Sequence, residues 1–108
     1  MLVPPYEGPD AAADDLERLR AQLDALDQVL LDTVRDRIGC CVRIGAVKRR
    51  DGVPMMQPHR IAVVQQRAAA YAAEHSVDAT FLHRLYDLII EETCRVEDLV
   101  IAGDAAAG

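Results

Sequence analysis

The stretch LERLRAQLDALDQVLL, residues 16–31, decides the fold. Leu16, Leu19, Leu23, Leu26 and Leu30 step by three and four, the spacing that lines apolar side chains along one stripe of an α-helix. Asp10 or Asp14 can cap its start, with Asp15 and Glu17 in a first turn whose dipole favours acids. The periodic run extends from about Asp14 to about Arg50, where Lys48, Arg49 and Arg50 suit the last turn and Asp51-Gly52 stops it. At about 1.5 Å per residue such a rod is roughly 55 Å long. A compact domain of this chain length, 108 residues, is only about 35 Å across. The rod overhangs its own domain, so its leucine seam needs a second chain to cover it. A dimer is expected.

Working outward, a second helix is expected from Pro58, a residue suited to a first turn, through about Glu74. A third follows an Asp78 cap, with Phe81, Leu82, Leu85, Leu88, Ile89, Val96 and Val100 at helical spacing. The short link His75-Ser76-Val77 makes these two helices near neighbours. No segment reads as a strand, so the class is all-α: a three-helix chain with a long first helix. Residues 1–9 and 103–108 are expected to be loose tails around a helical domain spanning 10–102.

Charge narrows the function. The chain carries 12 Lys+Arg against 18 Asp+Glu, which argues against a nucleic-acid surface. Residues 35–60 depart from that balance, with seven bases (Arg35, Arg37, Arg43, Lys48, Arg49, Arg50, Arg60) and two acids (Asp36, Asp51). A local positive field in an acidic protein suits a small anion better than a polyanion. Cys40, Cys41 and Cys94 form neither a disulfide framework nor a zinc spacing, so reduced thiols in a cytoplasmic protein are expected, with Cys40 and Cys41 packing on the first helix. His59, His75 and His83 lack ligand spacing, and no metal is expected. The N-terminus has no signal-peptide pattern, and no apolar run approaches the roughly 20 residues of a membrane span.

Past Leu30 and Val34, the next inward position of the first helix is Arg37, and Lys48 lies eleven residues on, rotated by only about 20°. Burying unpaired cations is expensive, so both must meet anions. One reading pairs them with Glu91, Glu92 or Glu97 of the third helix. The other builds a pocket for a small polycarboxylate, with arginine as a bidentate clamp, lysine as a point charge and Arg60 closing the pocket from the second helix. The stretch VPMMQPHRI (53–61) would turn the chain so that Lys48 and Arg60 converge, with Met55 and Met56 lining the pocket mouth or simply packing the connector. Thr93 and Glu97 share a face; they either border a cavity, or Thr93 bonds back to its own helix and Glu97 is solvated. Arg20 lies about 25 Å before Arg37 on the rod, too far to share its ligand within one chain. An antiparallel partner helix would bring a second copy of Arg20 to that site.

From about Leu16 to about Val100 the chain resembles the all-helical chorismate mutases, which are intertwined three-helix dimers. The matching segments are LRAQLDALDQVLL (19–31), Arg37 in VRDRIG, Lys48 in IGAVKRR, Arg60 in QPHRI and VDATFLHRLYDLIIEET (77–93). The resemblance implies that Arg37, Arg60 and the partner copy's Arg20 hold the two carboxylates of a small dicarboxylate substrate. Lys48 would reach the ether oxygen, and Thr93 stands where the family has a serine near the ring carboxylate. The implied reaction is a [3,3]-sigmatropic rearrangement with no cofactor and no metal.

Three positions depart from the family pattern. Gln57 stands where an acid is frequent, Ile61 replaces the glutamate that takes the C4 hydroxyl, and Glu97 replaces a glutamine that donates to the ether oxygen. A pocket without that acceptor suits plain chorismate poorly, because the hydroxyl would be buried unpaired. VPMMQP and IIEETCRVED instead resemble the branch acting on 4-amino-4-deoxychorismate, on the route to p-aminophenylalanine-type antibiotic precursors. Chorismate mutase and isochorismate pyruvate lyase activities stay open, as does a helical interaction module without catalysis. For Glu97 to donate to an ether oxygen it must carry a proton, so turnover is expected to decline with rising pH.

Overall fold

The structure, a computed structural model, describes residues 15–54 and 57–103. Three helices follow one another: α1 (Leu16–Asp51), α2 (Pro58–His75) and α3 (Ala79–Ile101). Among the described residues there is no strand, and no helix is long and apolar enough to cross a membrane. The all-α class and the three helix spans agree with the reading of the sequence.

The helix ends show why the spans fall where they do. Asp15 Oδ1 accepts from the Arg18 N–H at 2.8 Å, so Asp15 is itself the cap rather than a first-turn residue. A carboxylate serves an N–H group three residues on only from just outside the helix. The other cap candidates, Asp10 and Asp14, lie outside the described residues, as do Met55, Met56, the tail expected over 1–9 and all but Gly103 of the tail expected over 103–108. α1 ends at Gly52 (φ 68°), where the Val53 N–H returns to the Lys48 carbonyl at 2.9 Å. α2 ends in the same way at Ser76 (φ 56°), with Val77 N–H on the Ala72 carbonyl at 3.1 Å. Asp78 then caps α3, its Oδ2 accepting from the Phe81 N–H at 2.9 Å.

The chain divides into two units, residues 15–37 and residues 38–103. The first is helix alone. Its seam residues Leu16, Leu19, Leu23, Leu26 and Leu30 are between 42% and 65% exposed. In the second unit α2 and α3 pair antiparallel. Gln65 Nε2 donates to Asp87 Oδ1 at 2.9 Å and to the His83 carbonyl at 3.3 Å, and the small side chains of Ala68 and Ala72 are buried. Cys41, Val96 and Val100 complete the buried apolar set among the described residues. Phe81 and Leu88, two of the apolar residues at helical spacing in the third helix, are exposed in the single chain.

Candidate functional site

Within residues 38–51, α1 presents Cys41, Gly45 and Lys48 at steps of four and three, one helical face. α3 presents Thr93, Glu97 and Val100 at the same steps. These two faces meet. A Cβ placed on Gly45 would lie 2.9 Å from Val100 Cβ and 3.3 Å from Glu97 Cα, so the backbone of α1 rests directly on α3. One turn further, Lys48 Nζ lies 2.6 Å from Glu97 Oε1, with the two side chains 13% and 5% exposed. One turn back, Cys41 Sγ donates to Thr93 Oγ1 at 3.6 Å, and that hydroxyl donates to the Ile89 carbonyl at 2.9 Å.

The burial of Glu97 is the electrostatic centre of this arrangement. A carboxylate withdrawn from water costs several kcal/mol, on the order that only a close cation offsets. Lys48 is that cation. Of the three glutamates open to it in the sequence, Glu92 is taken by Arg95, whose Nε and Nη2 donate to its two oxygens at 2.7 and 2.8 Å. Those hydrogen bonds hold the Glu92 carboxyl below its usual range. Glu91 is exposed. Glu97 is therefore neither solvated nor idle, while Thr93 does make the back-bond to its own helix.

Arg60 sits in the first turn of α2, exposed, with no partner for its guanidinium among the described residues. Gln57 is the residue before that helix (φ −129°, ψ 90°), and its side chain makes no capping bond. Its carbonyl does the local work, accepting from the Arg60 and Ile61 N–H groups at 2.9 and 3.3 Å. The first turn of α2 contains no acid. Its positive dipole end and Arg60 together favour an anion there. Ile61 is half-buried. In the other unit Arg37 is half-buried and Arg20 exposed.

Of the residues singled out in the sequence, the structure joins Lys48 to Glu97 directly and sets Thr93 one turn away. Gln57, Arg60 and Ile61 cluster at the start of α2. Two residues of the site escaped the sequence reading as site members, Cys41 and Gly45. A glycine inside a long helix costs about 1 kcal/mol relative to alanine, and that cost was the available signal.

Residues 19–98 match the family model described as chorismate mutase type II. The chain is 59% identical over 103 residues to a 4-amino-4-deoxychorismate mutase of Streptomyces pristinaespiralis, covering 95% of this chain and 80% of that protein. It is 60% identical over 92 residues to a 4-amino-4-deoxychorismate mutase of Streptomyces venezuelae, covering 85% and 89%. A chorismate mutase of Methanocaldococcus jannaschii is 23% identical over 78 residues, 72% of this chain and 79% of that protein. No solved structure matches the chain.

Proposed function

The chain belongs to the chorismate mutase type II family, and from that premise we propose that it rearranges 4-amino-4-deoxychorismate to 4-amino-4-deoxyprephenate. The observation that carries the choice of substrate is the high identity, over most of the chain, to two proteins named for that reaction. In the reaction the ether C–O bond breaks as a C–C bond forms to the ring, and the product is an isomer of the substrate. No atom or electron leaves. Two tasks remain for the protein: holding a chair-like conformer, and aiming donors at the ether oxygen where negative charge builds.

Lys48 and Glu97 suit the second task. The two are paired with each other at 2.6 Å. A dianionic guest offers Lys48 a competing partner, and a proton on Glu97 makes that carboxyl a donor to the ether oxygen. Arg37 and Arg60 would hold the carboxylates, with Thr93 near the ring carboxylate. Gln57, whose side chain is not spent on capping, and Ile61 would border C4.

The exposed leucine seam supports a homodimer in which a second copy supplies Arg20. Mixing Arg20→Ala and Arg37→Ala proteins, each inactive alone, should restore activity, because a mixed dimer regains one complete site. Absence of recovery would remove the shared site.

The substrate is tested by offering purified protein 4-amino-4-deoxychorismate and chorismate separately, following loss of absorbance and identifying the products. Faster conversion of chorismate would overturn the amino-substrate reading, and release of pyruvate would replace the mutase with a lyase.

A further inference from the structure

We propose that Gly45 is a positioning residue for the rearrangement: lacking a side chain, it lets α1 rest on the backbone of α3, and that separation sets where the Lys48 ammonium stands. The proposal rests on the mutase reading above.

The contact cannot be relieved by turning a side chain. A Cβ on Gly45 would meet Val100 Cβ at 2.9 Å, Val100 Cγ1 at 3.2 Å and Glu97 Cα at 3.3 Å. A Cβ is present in every residue but glycine, and a Cα in all of them, so shortening Val100 to alanine leaves the worst clash in place. Carbon atoms pack at about 3.5–4.0 Å, so any side chain at position 45 drives the helices apart by roughly 0.6–1 Å. Lys48 is one turn along α1, and one of the crowded atoms is the Cα of its ionic partner. The displacement therefore reaches both members of the pair. A flexible lysine can follow Glu97 and keep the salt bridge, but its place relative to a third body, the substrate's ether oxygen, is lost.

Gly39 on the same helix supplies the contrast. A Cβ there would meet only Arg43 Nη1 at 3.9 Å, the mobile end of a long side chain. Both glycines weaken α1 through backbone entropy. Only Gly45 fills its vacancy with another helix.

The experiment compares Gly45→Ala and Gly39→Ala by kcat and KM on 4-amino-4-deoxychorismate and by Tm. Gly39→Ala should raise Tm and leave kcat near that of the unmodified protein. Gly45→Ala should lower kcat by about 10- to 100-fold, the scale of an ångström misplacement, with KM little changed. In a Lys48→Ala background Gly45→Ala should cost no further kcat, because the group it positions is gone. A kcat near that of the unmodified protein in Gly45→Ala, or losses that simply add in the double variant, would overturn the proposal. Should Gly45→Ala not fold, Val100→Ile loads the same contact from α3 with one methylene and enters the same cycle. An unmodified protein that converts neither compound would sink the mutase reading and the link to the rearrangement, leaving only the claim that Gly45 sets the place of the Lys48 ammonium. The nitrogen NMR signal of the Lys48 ammonium then decides: it should shift in Gly45→Ala and not in Gly39→Ala, and an unmoved signal is fatal.

Discussion

Two stretches of one helix behave in opposite ways. Over residues 16–34 α1 carries large aliphatic side chains, and every one of Leu16, Leu19, Leu23, Leu26 and Leu30 faces solvent. Over residues 38–51 the residues buried outright are Cys41 and Gly45, a small thiol and no side chain at all. Side-chain size and hydrophobicity alone would have ranked the stretches the other way. The difference shows what each stretch is fitted to meet. Small residues let two backbones of the same chain approach until a lysine and a glutamate are forced together. Large leucines left in water have about 1.5–3 kcal/mol each to gain from a partner that would cover them.

Breaking the leucine stretch should have the largest effect. Leu23→Asp combined with Leu26→Asp removes about 3–6 kcal/mol of burial from a dimer. Sedimentation should find monomers, and turnover should vanish with the dimer, as the proposed sharing of Arg20 requires. A dimer of unchanged affinity would mean the leucines serve something else.

Breaking the charged stretch comes next. Lys48→Ala should lower kcat by about 10²–10³, the usual cost of a donor aimed at developing charge. It should also destabilise the fold, since Glu97 is left buried without its cation. Adding Glu97→Gln to Lys48→Ala should restore much of the stability and none of the rate, measured by chemical denaturation and by turnover. If both recover together, the pair is structural only.

A sharper comparison within the site comes from Glu97→Gln alone. An amide donates where a carboxylate cannot, so this variant should keep kcat within about tenfold of the unmodified protein while Lys48→Ala does not. A loss as large as that of Lys48→Ala would take the donor role away from Glu97.

The smallest effect belongs to Glu92, one of the two glutamates that the site leaves out. Arg95 lowers its pKa in the folded chain. Its contribution to stability is therefore present at neutral pH and is lost as acid carries the carboxyl through that lowered value. Glu92→Gln should differ slightly from the unmodified protein at neutral pH and converge with it in acid. A gap that widens in acid would contradict the ion pair. Being exposed, the pair should also weaken in salt.

Much of this was legible in the sequence because helices are written locally. Pro58 opened α2 through its fixed φ, while Asp78 capped α3 and Asp51-Gly52 closed α1 through bonds between residues a few positions apart. The inward direction of Lys48 was legible too, from the angle it makes with Leu30 and Arg37. Asp15 rather than Asp14 as the cap is an error of one residue, where several adjacent acids compete and local spacing does not choose among them. Gly45 was harder. Its place in the helix interior marked a cost, but nothing nearby in the chain says what presses against it.

Periodicity and capping chemistry, both short-range, determined by themselves that this chain forms three helices, that a long seam is left over, and that Lys48 points inward. Which carboxylate receives Lys48 was decided only when α3 took its height and rotation against α1. Glu91, Glu92 and Glu97 are chemically equal along the chain, and only Glu97 stands opposite the gap that Gly45 leaves. The physical reason is range: a helix is closed by bonds four residues apart, whereas the 49 residues separating Lys48 from Glu97 are spanned only by packing.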